Sequence, residues 1–220
     1  MIVKVRQILK DEDVPILLGR TILYLQRKCF NIQNYYLYEQ KLNELNEADH
    51  LTQIDNCSLK VIATHRQADE VAREGFDDFR ENVFLNKLMD IRSSLDQGSI
   101  ALCLFVDKKL AHLGIMAISE EAKGTFDSLP YHIDFAHGQA CSGAVTLPEF
   151  RNKGLMTYSC FKRFEFLKKL GYQTVRYAIA VDNLVSQKVH GKFGPRKYAR
   201  MRHIKIGRWS FYKEIPLLIV

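Results

Sequence analysis

The chain of 220 residues has no window approaching the roughly 18 uninterrupted apolar residues of a membrane-spanning helix; the nearest stretch, Ile16 to Leu25, is broken by Gly19 and Arg20. It also lacks the apolar run of a secretory leader, since Arg6, Lys10, Asp11, Glu12 and Asp13 interrupt the N-terminus. Five cysteines (Cys29, Cys57, Cys103, Cys141 and Cys160) form no CxxC and no Cys/His spacing, so neither a disulfide framework nor a zinc site is signalled. The expectation is a cytoplasmic protein with free thiols, no metal and no membrane contact. Internal repeats and low-complexity segments are missing too.

What is present is the make-up of an ordinary soluble protein, 47% apolar and 26% charged. This length accommodates one substantial core with an extension rather than two independent domains. The formal charge of +7 is unevenly spread. Arg196, Lys197, Arg200, Arg202, Lys205 and Arg208 crowd the last quarter, with His203 among them. Such a surface attracts an anion, whether a nucleic acid, a membrane surface or a phosphorylated cofactor.

Patterning divides the chain into an N-terminal helix and strand extension over residues 1–50 and a larger unit over 57–220, joined by the polar, acidic stretch Asn43 to Asn56. In the extension a short strand is expected at Ile2 to Val5, and a helix from about Asp11 whose acidic start suits the positive end of its dipole. The aromatic run Asn34 to Glu39 reads as a strand, with a stacking surface for a ligand as the other reading. The larger unit opens with a strand around Leu59 and Ile62. Helices follow at Ala68 to Phe79 and at Glu81 to Leu95, the second carrying a stripe through Phe84, Leu88, Ile91 and Leu95. Ser99 to Val106 and Leu110 to Ser119 form a hairpin about Asp107, Lys108 and Lys109, and Glu120 to Tyr131 reads as a surface loop.

Next come a strand at Ala140 to Leu147 and a helix at Lys153 to Leu170, whose apolar face holds Thr157, Cys160, Phe161, Phe164 and Leu167. A strand at Tyr172 to Val181 stands at the distance expected of a strand-helix-strand unit with parallel strands. Asn183 can cap another helix, with Val185, Val189 and Phe193 every four residues until Gly194 and Pro195 stop it. Ile204 to Ile206 and Trp209 to Phe211 look like final strands. The fold class is α/β or α+β, with a mixed sheet containing a parallel strand pair.

A strand entering a helix through Arg151-x-x-Gly154 brings the free N–H groups of the first turn and the helix dipole to one point, a geometry that binds phosphate. Gly154 lets the backbone approach a ligand, and Arg151 and Lys153 add charge. That spacing alone also describes an ordinary helix entry. The whole stretch Val145-Thr146-Leu147-Pro148-Glu149-Phe150-Arg151-Asn152-Lys153-Gly154-Leu155-Met156 resembles the acetyl-CoA-binding signature of the GNAT superfamily, a strand, then Arg/Gln-x-x-Gly-x-Gly/Ala, then a helix. Downstream, Ala180-Val181-Asp182-Asn183-x-x-Ser186-x-x-x-His190-x-Lys192-x-Gly194 is similar to the family's next block. The resemblance covers Cys57 to Trp209 and is motif-specific over Leu147 to Gly194. It departs at Met156, where a small residue is usual, and at Pro195, which stands in place of a Phe.

The resemblance implies a GNAT-like mixed, mostly antiparallel sheet with a central parallel pair, flanked by helices. The activity it implies is transfer of an acetyl group from acetyl-CoA to a primary amine by direct attack on the thioester. Backbone amides from Asn152 through Lys153, Gly154 and Leu155 to Met156 would hold the pyrophosphate, with Arg151 at the head of the turn. The strand bearing Val145, Thr146 and Leu147 would pair with the pantetheine arm, and Asn183 and Ser186 would lie near the pantetheine and the adenosine phosphates. The segments Ala144 to Leu147 and Tyr177 to Val181 would splay to admit the thioester, with a backbone N–H there stabilising the oxyanion.

His190 stands where many members of the family carry a Tyr and is the candidate acid for the departing thiolate; its other reading is a surface histidine on an amphipathic helix. No base is assigned among Asp134, His132, His137, Cys141, Ser142 and Glu149. The acceptor is expected to be a small-molecule amine, in a pocket drawn from Asn34 to Glu39, Ala68 to Leu95 and Glu120 to His137. Two other readings stand: a non-catalytic acyl-CoA-binding module, and a nucleic-acid-binding protein using the basic C-terminal stretch, which ranks last for want of a base-reading motif. A homodimer through the aromatic extension is left open.

Overall fold

In the computed structural model, residues 30–45, 54, 56–207 and 209–217 are described. The strand expected at Ile2 to Val5 and the helix from Asp11 lie outside them. Eight strands form one sheet: β1 (Phe30–Lys41), β2 (Cys57–Ile62), β3 (Ile100–Val106), β4 (Lys109–Ala117), β5 (Gln139–Thr146), β6 (Thr174–Ala180), β7 (Arg196–Ile206) and β8 (Trp209–Pro216), in the order β2-β3-β4-β5-β6-β1-β7-β8. Every neighbouring pair is antiparallel except β5 and β6, which run parallel. The helices are α1 (His65–Arg73), α2 (Val83–Asn86), α3 (Ile91–Asp96), α4 (Glu120–Gly124), α5 (Leu155–Lys169) and α6 (Leu184–Gly191). The longest, α5, has 15 residues, and no described helix is long and apolar enough to cross a membrane.

Period-two alternation sends the two faces of the sheet to different cores. On one face Leu102 and Leu104 of β3 and Val175 and Tyr177 of β6 meet Phe161, Phe164 and Leu167 of α5. On the other, Ala101, Cys103 and Phe105 meet Phe79, Leu85, Ile91 and Leu95. The β3–β4 hairpin closes through Asp107 (φ 49°) and Lys108 (φ 64°), two consecutive left-handed residues whose twist matches the strands they join.

The sequence pattern assigns Asn34 to Glu39 to an N-terminal extension, but β1 is an inner strand. It pairs with β6 over Tyr35 to Lys41 and with β7 over Phe30 to Glu39. Leu37 and Tyr38 are both buried, as expected of a strand covered on both faces. The helix expected over Glu81 to Leu95 is broken in two. Asn82 Oδ1 accepts from the N–H groups of Phe84 and Leu85, Asp90 Oδ1 accepts from that of Ser93, and each cap starts a new short helix. Leu88, placed in the apolar stripe, is 55% exposed. The segment Glu120 to Tyr131 is not a plain surface loop: Ser119 caps α4, and Ala122, Lys123 and Tyr131 are buried.

Glu39 ties β1 to both neighbours through Arg176 of β6 at 2.7 Å and Arg196 of β7 at 2.8 Å. Burial opposes its charge, but the two guanidinium groups outweigh it and hold its carboxyl below the usual range. A lowered carboxylate pKa contributes stability that is complete above the unfolded-state pKa of about 4.3 and is lost as pH falls through the folded-state value. Glu39→Gln should therefore destabilise the protein by roughly 3 kcal/mol at neutral pH in denaturant titrations. The gap to the wild type should narrow as the titration is repeated at progressively lower pH.

Candidate active site

β5 and β6 pair only at Gln139 with Thr174, Ala140 with Val175 and Cys141 with Arg176. Beyond Cys141 the strands part. β5 remains braced by β4 to Thr146, and β6 by β1 to Ala180, so a cleft opens with one free strand edge on each side. At the fork Arg163 of α5 donates from Nη1 to the Gly143 carbonyl at 3.0 Å and to Ser142 Oγ. Gly114 of β4 makes room for this arginine, since a Cβ there would lie 2.5 Å from Arg163 Cδ. Arg163 is 1% exposed.

Past the fork, β5 turns through Pro148–Phe150 and Arg151 into α5. Asn152 (φ 62°) and Gly154 (φ 78°) both take left-handed backbone. The first hydrogen bond of α5 runs from the Tyr158 N–H to the Gly154 carbonyl at 3.1 Å, so Leu155, Met156 and Thr157 hold the unsatisfied N–H groups of the first turn. These three residues line a cavity of about 550 Å³, with Val145 and Thr146 of β5 on one side and the cap residue Asn183 with Val185 and Ser186 of α6 on the other. Among the described residues its only charged lining groups are Arg151 and Lys153. The helix dipole and two cations thus face a space that no acidic side chain among the described residues lines.

A second cavity, about 390 Å³, lies where the strands part. Ser142 to Val145 and Tyr177 to Ala180 form its walls, and Met156, Asn183 and Ser186 are shared with the first cavity. His190 lines it at 6% exposure, so it is not a surface histidine. Its Nδ1 lies 2.9 Å from the Ser186 carbonyl and 3.3 Å from Ser186 Oγ, and its Nε2 lies 3.4 Å from Cys160 Sγ. A carbonyl only accepts, so Nδ1 carries a proton. The far wall is made by Leu88, Met89, Phe126, Asp127 and Leu129. Among the described residues Asp127 is the one carboxylate lining this cavity; its oxygens accept from the Tyr131 hydroxyl and from the Leu129 N–H.

Of the residues expected at the site, Val145, Thr146, Arg151, Asn152, Lys153, Gly154, Leu155, Met156, Asn183 and Ser186 come together around the first cavity, and His190 joins at the second. Leu147 does not: it lines neither cavity, its N–H bonds the Ala111 carbonyl, and its side chain is buried in the core beneath α1 to α3. Asn183 caps α6 by accepting from the Ser186 N–H. Val185, expected on a buried face, is 74% exposed at the cavity. Among the base candidates only Ser142 lines either of these two cavities, while Asp134 and His137 bind each other near the surface. Sequence reading held Asp127 only as one residue of the acceptor segment Glu120 to His137 and missed Arg163, which falls on a helix where a buried cation is unexpected. No cluster able to hold a metal occurs among the described residues.

No family model matches the chain, and no curated protein sequence does. Solved structures do. A GCN5-related N-acetyltransferase-like protein from Streptococcus suis superposes with a TM-score of 0.53 at 12% identity, over 86% of this chain and 67% of that one. The tandem GNAT protein from the clavulanic acid biosynthesis pathway gives 0.51 at 16% identity, over 84% and 54%. A GNAT-family acetyltransferase from Colwellia psychrerythraea gives 0.50 at 14% identity, over 80% and 57%. The fold is that of the GNAT superfamily. The chain spans little more than half of the length of two of these proteins. Within this GNAT fold the parting strands and the Gly154 turn are adjacent.

A Cβ at Gly154 would meet nothing within 4 Å, so what the position demands is its backbone angle. Gly154→Ala should cost about 1 kcal/mol, a fall in Tm of roughly 2–4 °C in a thermal melt.

Proposed function

We propose that this protein is an acyltransferase that moves an acetyl group from acetyl-CoA to a primary amine by direct attack on the thioester. The observation that carries this reading is the parting of β5 and β6 after three residue pairs, directly beside a helix N-terminus whose cavity is lined only by cations among its charged groups. The N–H groups of Leu155, Met156 and Thr157, with Arg151 and Lys153, suit the pyrophosphate. The free edge of β5 at Ala144 to Thr146 suits the amide-bearing pantetheine arm, and the cleft leads its sulfur end toward the second cavity. Acetyl-CoA supplies the activated acyl group.

The acceptor enters from the side of Leu88, Met89, Phe126 and Leu129, an apolar wall with Asp127 as its single carboxylate. That lining suits an amine on an apolar body, with Asp127 pairing the ammonium and taking its proton. A C–N bond forms as the C–S bond breaks and the nitrogen releases its second proton to solvent, with a free backbone N–H at the fork stabilising the charge on the carbonyl oxygen. Ser186, which lines both cavities and lies against His190 Nδ1, passes a proton from His190 to the departing sulfur.

Thermal melts with and without acetyl-CoA test the reading. At 100 times its Kd the ligand should stabilise the wild type by about 2.7 kcal/mol. Gly154→Glu, which puts a carboxylate at the anion site, should abolish the shift, and no shift in a folded wild type would overturn the proposal. His190→Ala should keep the shift while kcat falls roughly 10²–10⁴-fold. Asp127→Asn should raise the KM for charged amines and leave that for acetyl-CoA unchanged.

A further inference from the structure

Beneath the cleft, Cys160 and Arg163 of α5 meet His190 of α6. Arg163 is always protonated, is 1% exposed, and has no carboxylate partner among the described residues. Its donors reach Ser142 Oγ, the Gly143 carbonyl, Ser159 Oγ at 3.3 Å and Cys160 Sγ at 3.2 Å. Of these four acceptors only the sulfur can carry a negative charge. A buried cation without a counter-ion is costly, and a thiolate removes that cost.

We propose that Cys160 is a thiolate, the buried counter-ion of Arg163, and that it holds His190 as an imidazolium; Cys160 is thereby a positioning residue for the proton donor of the reaction. The ion pair stands on the geometry of these three groups, and only its catalytic consequence rests on the acetyl-transfer reading.

The proton balance is simple. The Cys160 S–H bond breaks and an N–H bond forms at His190 Nε2, 3.4 Å away, with Nδ1 already protonated against the Ser186 carbonyl. Net charge is unchanged and nothing is oxidised. Arg163 contacts the sulfur itself, so its field favours the pair of ions over the neutral pair. The other titratable groups packed around the cluster do not compete. Tyr177 of β6, whose ring lies 4.6 Å from that of His190, is held neutral by burial, as is Tyr38 of β1 stacked upon it. His112 of β4 is kept neutral by burial and by the charge of Arg163. Burial opposes ionisation of Cys160, yet His190 and Arg163 outweigh it and hold the thiol below its ordinary range.

Ultraviolet thiolate absorbance, measured between about pH 5.5 and 8.5 on the protein without acetyl-CoA, tests the pair directly. Burial raises Cys57, Cys103 and Cys141, so these stay protonated in that range. The wild type should show an excess of one thiolate over Cys160→Ser at neutral pH; equal spectra would overturn the proposal. Should Cys160→Ser fail to fold, nitrogen NMR of the His190 ring in the wild type decides. Protons on both nitrogens at neutral pH support the ion pair, and a proton on Nδ1 alone overturns it. In acetyl transfer, the kcat of Cys160→Ser should fall roughly tenfold more at pH 8 than at pH 6, because the variant lacks the anion that keeps the proton donor charged. An equal loss at both pH values would mark a merely structural role. A missing acetyl-CoA melting shift would sink the acetyl-transfer reading while leaving both spectroscopic results standing.

Discussion

The cleft depends on a hydrogen bond that the sheet does not make. At Gly143 the backbone of β5 no longer pairs with β6, and its carbonyl accepts instead from Arg163. A buried carbonyl without a partner would be costly, so a side chain long enough to reach the fork from α5 lets the strands part. Gly114 on β4 leaves the space through which that side chain passes. Separation of the strands, seating of α5 and the polar cluster beneath the cleft are one arrangement, and each needs the others.

The two banks of the cleft are held from outside. β5 is paired along its outer edge with β4, and β6 with β1. β1 is in turn locked by Glu39 to Arg176 and Arg196 and by the stacking of Tyr38 on Tyr177. A strand that lies far upstream in sequence thus braces the wall next to His190. Rigid strands on both sides of the opening keep the free edges available rather than letting them close on each other.

Much of the candidate site's geometry was legible because it is local. The Arg151 to Met156 turn, the cap at Asn183 and the spacing of strand, helix and strand are matters of neighbouring residues, and the resemblance to the GNAT signature rests on them. Leu147 lies one residue past the end of β5, where its N–H returns to Ala111 and its side chain packs into the core beneath α1 to α3, a seating that alternation does not assign at a strand end. The helix expected at Glu81 to Leu95 failed for a local reason with a non-local payoff: the caps at Asn82 and Asp90 interrupt the stripe, and the chain between them supplies Leu88 and Met89 to the cavity wall.

By itself the sequence determined the type of each element from Ala140 onward, the class of fold, and the helix start that favours an anion, because hydrogen bonding within a helix and alternation along a strand are set within a few residues. Only the tertiary structure decided that β1 lies inside the sheet, that His190 faces Cys160 instead of solvent, and that Asp127 and Arg163 border the cleft. Those contacts join residues 20 to 145 positions apart. Which of many compatible partners each finds is settled by burial and charge pairing in the folded core, which no local pattern encodes.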